Sequence, residues 1–99
     1  MKITKQLNNK ELVLLLEGEL NSVTAPEFET VIKNDLDNVE KLVIDCDKLS
    51  YLSSAGLRVL LVAQKIMSKN GKMTIRKVNK DVMEIFALTG FSAVLDFED

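Results

Sequence analysis

Apolar runs of strand length alternate with stretches of helical periodicity along this chain, and that alternation restricts the fold more than any single residue does. Leu12-Val13-Leu14-Leu15-Leu16 and Leu42-Val43-Ile44 are unbroken runs of the kind found in sheets covered on both faces. Met73-Thr74-Ile75-Arg76-Lys77-Val78 alternates apolar with polar, as a half-buried strand does. Between the first two runs, Phe28, Val31, Ile32 and Leu36 recur three or four residues apart and form one helical stripe. A strand–helix–strand alternation predicts right-handed crossovers and a largely parallel sheet.

The ends of these elements carry their own signals. Ile3–Leu7 and Lys10–Glu17 read as a hairpin, joined at Asn8-Asn9 because Asn tolerates positive φ. Thr24-Ala25-Pro26-Glu27 fits a capping box, with Thr24 as cap and Glu27 reaching back to its N–H. Pro26 falls in the first turn, where it removes no intrahelical bond, and this helix should fade near Asp37-Asn38. Lys48–Leu52 reads as a loop, followed by a second helix over Ser54–Lys69 that Asn70-Gly71 stops. Asn79 is placed to cap a third helix, Lys80–Leu88, with Val82, Ile85 and Phe86 on one face and Gly90 at its end. Val94–Phe97 reads as a last short strand. The expected order is β-β-α-β-α-β-α-β: an α/β fold with a mixed, mostly parallel sheet, in one domain over residues 1–99 without repeats or a linker.

Composition narrows the chemistry. Of 99 residues, 46% are hydrophobic and 28% charged, ordinary values for a globular chain. Thirteen basic against 15 acidic residues give a net charge of -2, without the basic excess of a nucleic-acid binder. There is no His, which removes histidine general bases, His-ligated metals and Ser-His-Asp chemistry. One Cys allows neither an internal disulfide nor a zinc cluster. No apolar run approaches the ~20 residues of a membrane span, and Met1-Lys2-Ile3-Thr4-Lys5-Gln6 lacks a signal region. These features predict a cytoplasmic protein that does not insert into a membrane and is poor in catalytic groups, and no cofactor or metal is expected. A serine hydrolase fits poorly, since the Gly-x-Ser-x-Gly elbow is absent and nothing is present to activate Ser54.

Tyr51-Leu52-Ser53-Ser54-Ala55-Gly56-Leu57-Arg58 runs from the end of a central strand directly into a helix. Hydroxyls there meet the free N–H groups and positive dipole end of that helix, which favour a phosphate or a phosphorylated side chain. Ser53 or Ser54 can equally be a simple N-cap, and the two roles are compatible. On a wheel of ~100° per residue, Val59, Leu60, Ala63 and Met67 fall together toward the sheet, opposite Arg58, Lys65 and Lys69. Leu61 and Val62 flank the charged stripe, either as the margin of the core or as a partner patch rimmed by Arg58 and Lys65. Cys46 reads as a small buried hydrophobe. Asp45 and Asp47 lie at a strand end, either supporting a site there or solvated in a loop.

Gly18-Glu19-Leu20-Asn21, Leu42-Val43-Ile44-Asp45, Tyr51 through Leu61, and Phe86-Ala87-Leu88-Thr89-Gly90-Phe91 resemble, in order and spacing, the STAS domain of bacterial anti-sigma-factor antagonists. The resemblance implies a protein that is not an enzyme. It implies binding to an anti-sigma factor that is often also a serine kinase, which frees the sigma factor. The kinase phosphorylates one serine at the start of the second helix and breaks the complex, and a PP2C-type phosphatase restores it. By position that serine is Ser54. Together with the helix wheel, the resemblance implies a partner surface of Asn21, Ser53, Ser54, Ala55, Gly56, Arg58, Leu61, Val62 and Lys65. The sequence departs from the common Asp-Ser-Ser/Thr-Gly-Leu pattern: Ser53 stands in the Asp position, Ala55 in the second hydroxyl position, and Asn21 where many members carry Asp. Those departures motivate a second expectation, a STAS adaptor subunit of a lipid or anion transporter that uses the same surface without phosphorylation.

Overall fold

A computed structural model describes residues 1–98; residue 99 of the expected domain lies outside the described residues. Strand β1 (Lys2–Asn8) and β2 (Glu11–Leu20) form an antiparallel hairpin, and Asn9 takes the positive φ of 57° that its turn requires. Then come α1 (Ala25–Asp35), β3 (Lys41–Leu52), α2 (Ser54–Asn70), β4 (Lys72–Arg76), α3 (Lys80–Leu88), a 3-10 turn at Phe91–Ala93 and β5 (Phe97–Glu98). The sheet order is β1-β2-β3-β4-β5, with every pair after the hairpin parallel. Each crossover steps in the same direction, so right-handed connections put the three helices on one face of the sheet.

Strand alternation sorts the side chains accordingly. Leu12, Leu14 and Leu16 of β2, Leu42, Ile44 and Cys46 of β3, and Met73 and Ile75 of β4 belong to one buried cluster with Phe28, Ile32, Leu60, Ala63, Met67, Val82 and Phe86 from the helices. The intervening Val13, Val43, Asp45 and Thr74 turn to the other face. A Cβ at Gly71 would overlap the Glu40 carbonyl oxygen, so the chain can pass that close from α2 into β4 only without a side chain.

Three expectations about boundaries are corrected. The Lys48–Leu52 segment is not a loop but the second half of a 12-residue β3. Its pairing with β2 slips twice: Leu15↔Asp45 is followed by Glu17↔Lys48, and Gly18↔Leu49 by Glu19↔Tyr51. Each slip leaves an extra residue in β3, a bulge that breaks the two-residue period a strand is recognised by. The capping box at Thr24 does not form: Thr24 has the N-cap position but its side chain caps nothing in α1. The last strand is shorter and later than Val94–Phe97. Gly90, at φ 81°, opens the 3-10 turn, Val94 closes it, and pairing with β4 begins only at Phe97.

Candidate functional site at the β2–α1 and β3–α2 junctions

Strands β2 and β3 end side by side, Leu20 opposite Leu52, and each leads into a helix. The Ser53 N–H donates to the Leu20 carbonyl at 2.8 Å and ties the two junctions together. Gly56, in the first turn of α2, is buried; a Cβ there would stand 2.5 Å from Leu20 Cγ and 2.9 Å from Leu52 Cδ1. Glycine is therefore what lets the start of α2 settle onto the strand ends. Of the residues expected at the partner surface, Gly56 is thus the buried one, and it sets the height of the helix start.

Ser53 is extended (φ -98°, ψ 173°) and holds the N-cap position, yet its side chain makes no cap. Its Oγ is buried and has no hydrogen-bond partner. Of the two serines expected as N-cap, Ser53 holds the position, with its carbonyl accepting from Leu57 N–H at 3.0 Å, and neither hydroxyl caps the helix. The N–H groups of Ser54, Ala55 and Gly56 are left without a side-chain acceptor. Ser54 is the first residue of α2 and is exposed; Ala55 is half-buried beside it.

Along α2, Arg58, Leu61 and Lys65 follow Ser54 at four, seven and eleven residues, an interval that keeps them on one side of the helix. Arg58 and Lys65 are exposed and Leu61 is half-buried. Val62 is half-buried too and packs against the core. On the other flank, Ala55 and Arg58 share a shallow groove with Ser22, Pro26 and Glu29 of the α1 junction.

The β2–α1 turn is held by a compact set of side-chain bonds. Asn21 Oδ1 accepts from the N–H groups of Val23 (2.9 Å) and Thr24 (3.1 Å). Thr24 Oγ1 accepts from Asn21 N–H at 2.9 Å and donates to the Glu19 carbonyl at 2.8 Å. Asn21 has taken the Thr24 N–H that Glu27 would have used in a capping box, and Thr24 Oγ1 is turned back to Asn21 N–H, away from Glu27 N–H. The Asn21 side chain is thus committed to shaping the turn, and the residue the turn pushes outward is Val23, 84% exposed. Sequence reasoning missed Val23. Its one signal is an apolar residue off the stripe of Phe28, Val31, Ile32 and Leu36. Tyr51, 47% exposed just before the junction, was hidden by the bulges.

Asp45 and Asp47 do not join this site. Asp45 lies seven residues before the end of β3, about 20 Å along the strand. It is 2% exposed, and its carboxylate takes Arg76 Nε at 2.9 Å and Asp47 N–H at 3.0 Å. Burial alone would raise its pKa, but the Asp47 N–H and the Arg76 guanidinium together hold it below the ordinary carboxylate value. Cys46 is buried, and desolvation with the neighbouring Asp45 charge pushes its thiol up to about 12. It stays protonated and packs as a small apolar group.

A STAS domain family model matches residues 2–99. The chain belongs to the STAS domain family. BtrV of Bordetella bronchiseptica, a protein named as an anti-sigma factor antagonist, is 34% identical over 96 residues, covering 95% of this chain and 83% of its own. Among solved structures, an anti-sigma factor antagonist from Mycobacterium paratuberculosis superposes with a TM-score of 0.87 at 24% identity, over 97% of this chain and 83% of that one. SpoIIAA of Bacillus, solved in its phosphorylated form, superposes with a TM-score of 0.75 at 15% identity, over 99% of this chain and 92% of that one. Both superpositions are likenesses of fold. No helix of this STAS domain, among the described residues, is long and apolar enough to cross a membrane.

Proposed function

We propose that this STAS domain is an anti-sigma factor antagonist. It binds an anti-sigma factor with serine-kinase activity through the exposed side of α2 and the β2–α1 turn, and it loses that partner when Ser54 is phosphorylated. A PP2C-type phosphatase returns it to the binding form, and both reactions take place in the cytoplasm. The observation that carries this reading is the exposed Ser54 at the uncapped start of a 17-residue helix, on the side of α2 that also carries Arg58, Leu61 and Lys65. The 34% identity to a protein named for the same role supports it.

The protein acts here by being bound. A phosphate adds about -1.5 to -2 charges and three acceptor oxygens. On the first residue of a helix it meets free N–H groups and the positive dipole end, so its own domain stays folded. Inside a packed interface the same group must lose water and displace partner contacts. A coupling of ~1–3 kcal/mol is typical of regulation and changes affinity 5–150-fold. No backbone rearrangement is required.

The test is incubation with ATP and an anti-sigma factor of the serine-kinase class from the same genome, followed by peptide mass spectrometry. Phosphate on Ser54, and none after Ser54→Ala, is the expected result. A kinase that neither binds the protein nor labels Ser54, with a transporter ATPase subunit recovered by pull-down instead, would replace this reading with the adaptor one.

A further inference from the structure

Arg58 is an exposed cation one turn below Ser54, and it makes no ion pair among the described residues. Its acidic neighbour across the α1–α2 groove, Glu29, is engaged by Lys33 at 3.5 Å within α1. Residues four apart on a helix stand one above the other, with Cβ atoms about 5–6 Å apart, within reach of a guanidinium and a phosphate. The anchors on either side are rigid. Gly56 seats the helix start on Leu20 and Leu52, and Val59, the residue after Arg58, is buried in the core.

Resting on the phosphorylation reading above, we infer that Arg58 is the internal counter-ion of phosphorylated Ser54. It forms a charge-assisted bond to the phosphate across one helical turn and is thereby withdrawn from the partner surface. Phosphorylation then changes two things at once. It adds negative charge at residue 54, and it removes the positive charge that the unmodified protein offers at residue 58. The switch therefore reverses the electrostatic character of the upper half of α2 while leaving the backbone where it was. Lys65 and Lys69 are too far along the helix to compete: at ~1.5 Å per residue they lie about 16 and 22 Å from residue 54.

The test uses the full chain with phosphoserine genetically encoded at position 54, so no kinase is needed and the outcome is independent of whether one acts on it. The second ionisation of the phosphate is followed by phosphorus NMR. A free phosphoserine titrates near 6. The helix end alone lowers this value equally in all variants, whereas Arg58 lowers it only when present. The expected result is an upward shift of about half a unit or more in Arg58→Ala, an intermediate value in Arg58→Lys, which keeps the charge but not the fork, and no change in Lys69→Ala. The phosphorylated wild type should also melt higher than phosphorylated Arg58→Ala, by more than the unphosphorylated pair differ. Equal phosphate titration in wild type and Arg58→Ala, or an equal shift from Lys69→Ala, would overturn the assignment.

Discussion

For Ser54 to serve as the charge switch proposed for it, its own helix must accept the charge, and that depends on the residues that seat the helix start. Gly56 is the clearest. With Leu20 Cγ 2.5 Å from where its Cβ would be, Gly56→Val must lift the α2 start or push Leu20 and Leu52 aside. Overpacking of this kind costs about 1–3 kcal/mol, which urea denaturation will show as a lower midpoint with an unchanged slope. Asp45 gives a second prediction. Its folded pKa lies below the unfolded value, so its stabilising contribution is complete above about 4 and is lost as pH falls through the folded pKa. Asp45→Asn should lower stability at pH 7 by about 1–3 kcal/mol by leaving Arg76 with a weakened partner. The difference from wild type should shrink below pH 4; a difference that stays constant down to pH 2 would contradict the ion-pair account.

At the scale of elements, the β2–α1 turn and the start of α2 share a groove lined by Ser22, Pro26, Glu29, Ala55 and Arg58, and the proposed interface takes in both. The turn is fixed by the paired bonds of Asn21 and Thr24, and it projects Val23 into solvent, next in sequence to Ser22, which lines the groove shared with Ala55 and Arg58 of α2. Apolar anchors at the centre of an interface typically contribute more than 1 kcal/mol. Val23→Asp should therefore weaken binding of the anti-sigma factor tenfold or more by calorimetry, with the melting temperature unchanged within about a degree. Elements were legible in the sequence wherever a single period held. The 3.6-residue stripes of α1, α2 and α3 and the runs of β2 and β3 emerged as read, as did the Asn79 cap, whose Oδ1 accepts from Val82 N–H at 2.8 Å; the alternation read over Met73–Val78 is a strand only as far as Arg76, because Lys77 takes a positive φ of 56° and turns the chain out of the sheet. Legibility failed where competition among neighbours decided the outcome. Two bulges erased the alternation of Lys48–Leu52. Asn21 outcompeted Glu27 for the Thr24 N–H at the start of α1. Of the residues expected at the partner surface, Ser54, Arg58 and Lys65 are exposed, whereas Gly56 is buried and Asn21 turns its carbonyl inward to the backbone. A wheel and a motif place residues on an element; they do not tell which of two polar groups wins a given hydrogen bond.

At the scale of the molecule, the parallel sheet brings the functional ends to one edge. Every crossover returns the chain to start a strand at the opposite edge, so the carboxyl ends of β2 and β3 and the amino ends of α1 and α2 meet there. The whole chain carries a net charge of -2, but the outer side of α2 presents Arg58, Lys65 and Lys69 with no acidic residue anywhere along Ser54–Asn70. A basic ridge on an acidic body steers an acidic partner surface to that face, and the steering weakens with salt. Association should slow several-fold between 50 and 500 mM salt, and an association rate independent of salt would remove the electrostatic part of this picture. The most direct measurement is a calorimetric titration of the anti-sigma factor from the same genome with wild type, Ser54→Ala and Ser54→Asp. The prediction is similar affinity for wild type and Ser54→Ala and at least fivefold weaker binding for Ser54→Asp, with all three equally folded by circular dichroism. Equal affinity across the three would show that the exposed hydroxyl at the start of α2 lies outside the interface.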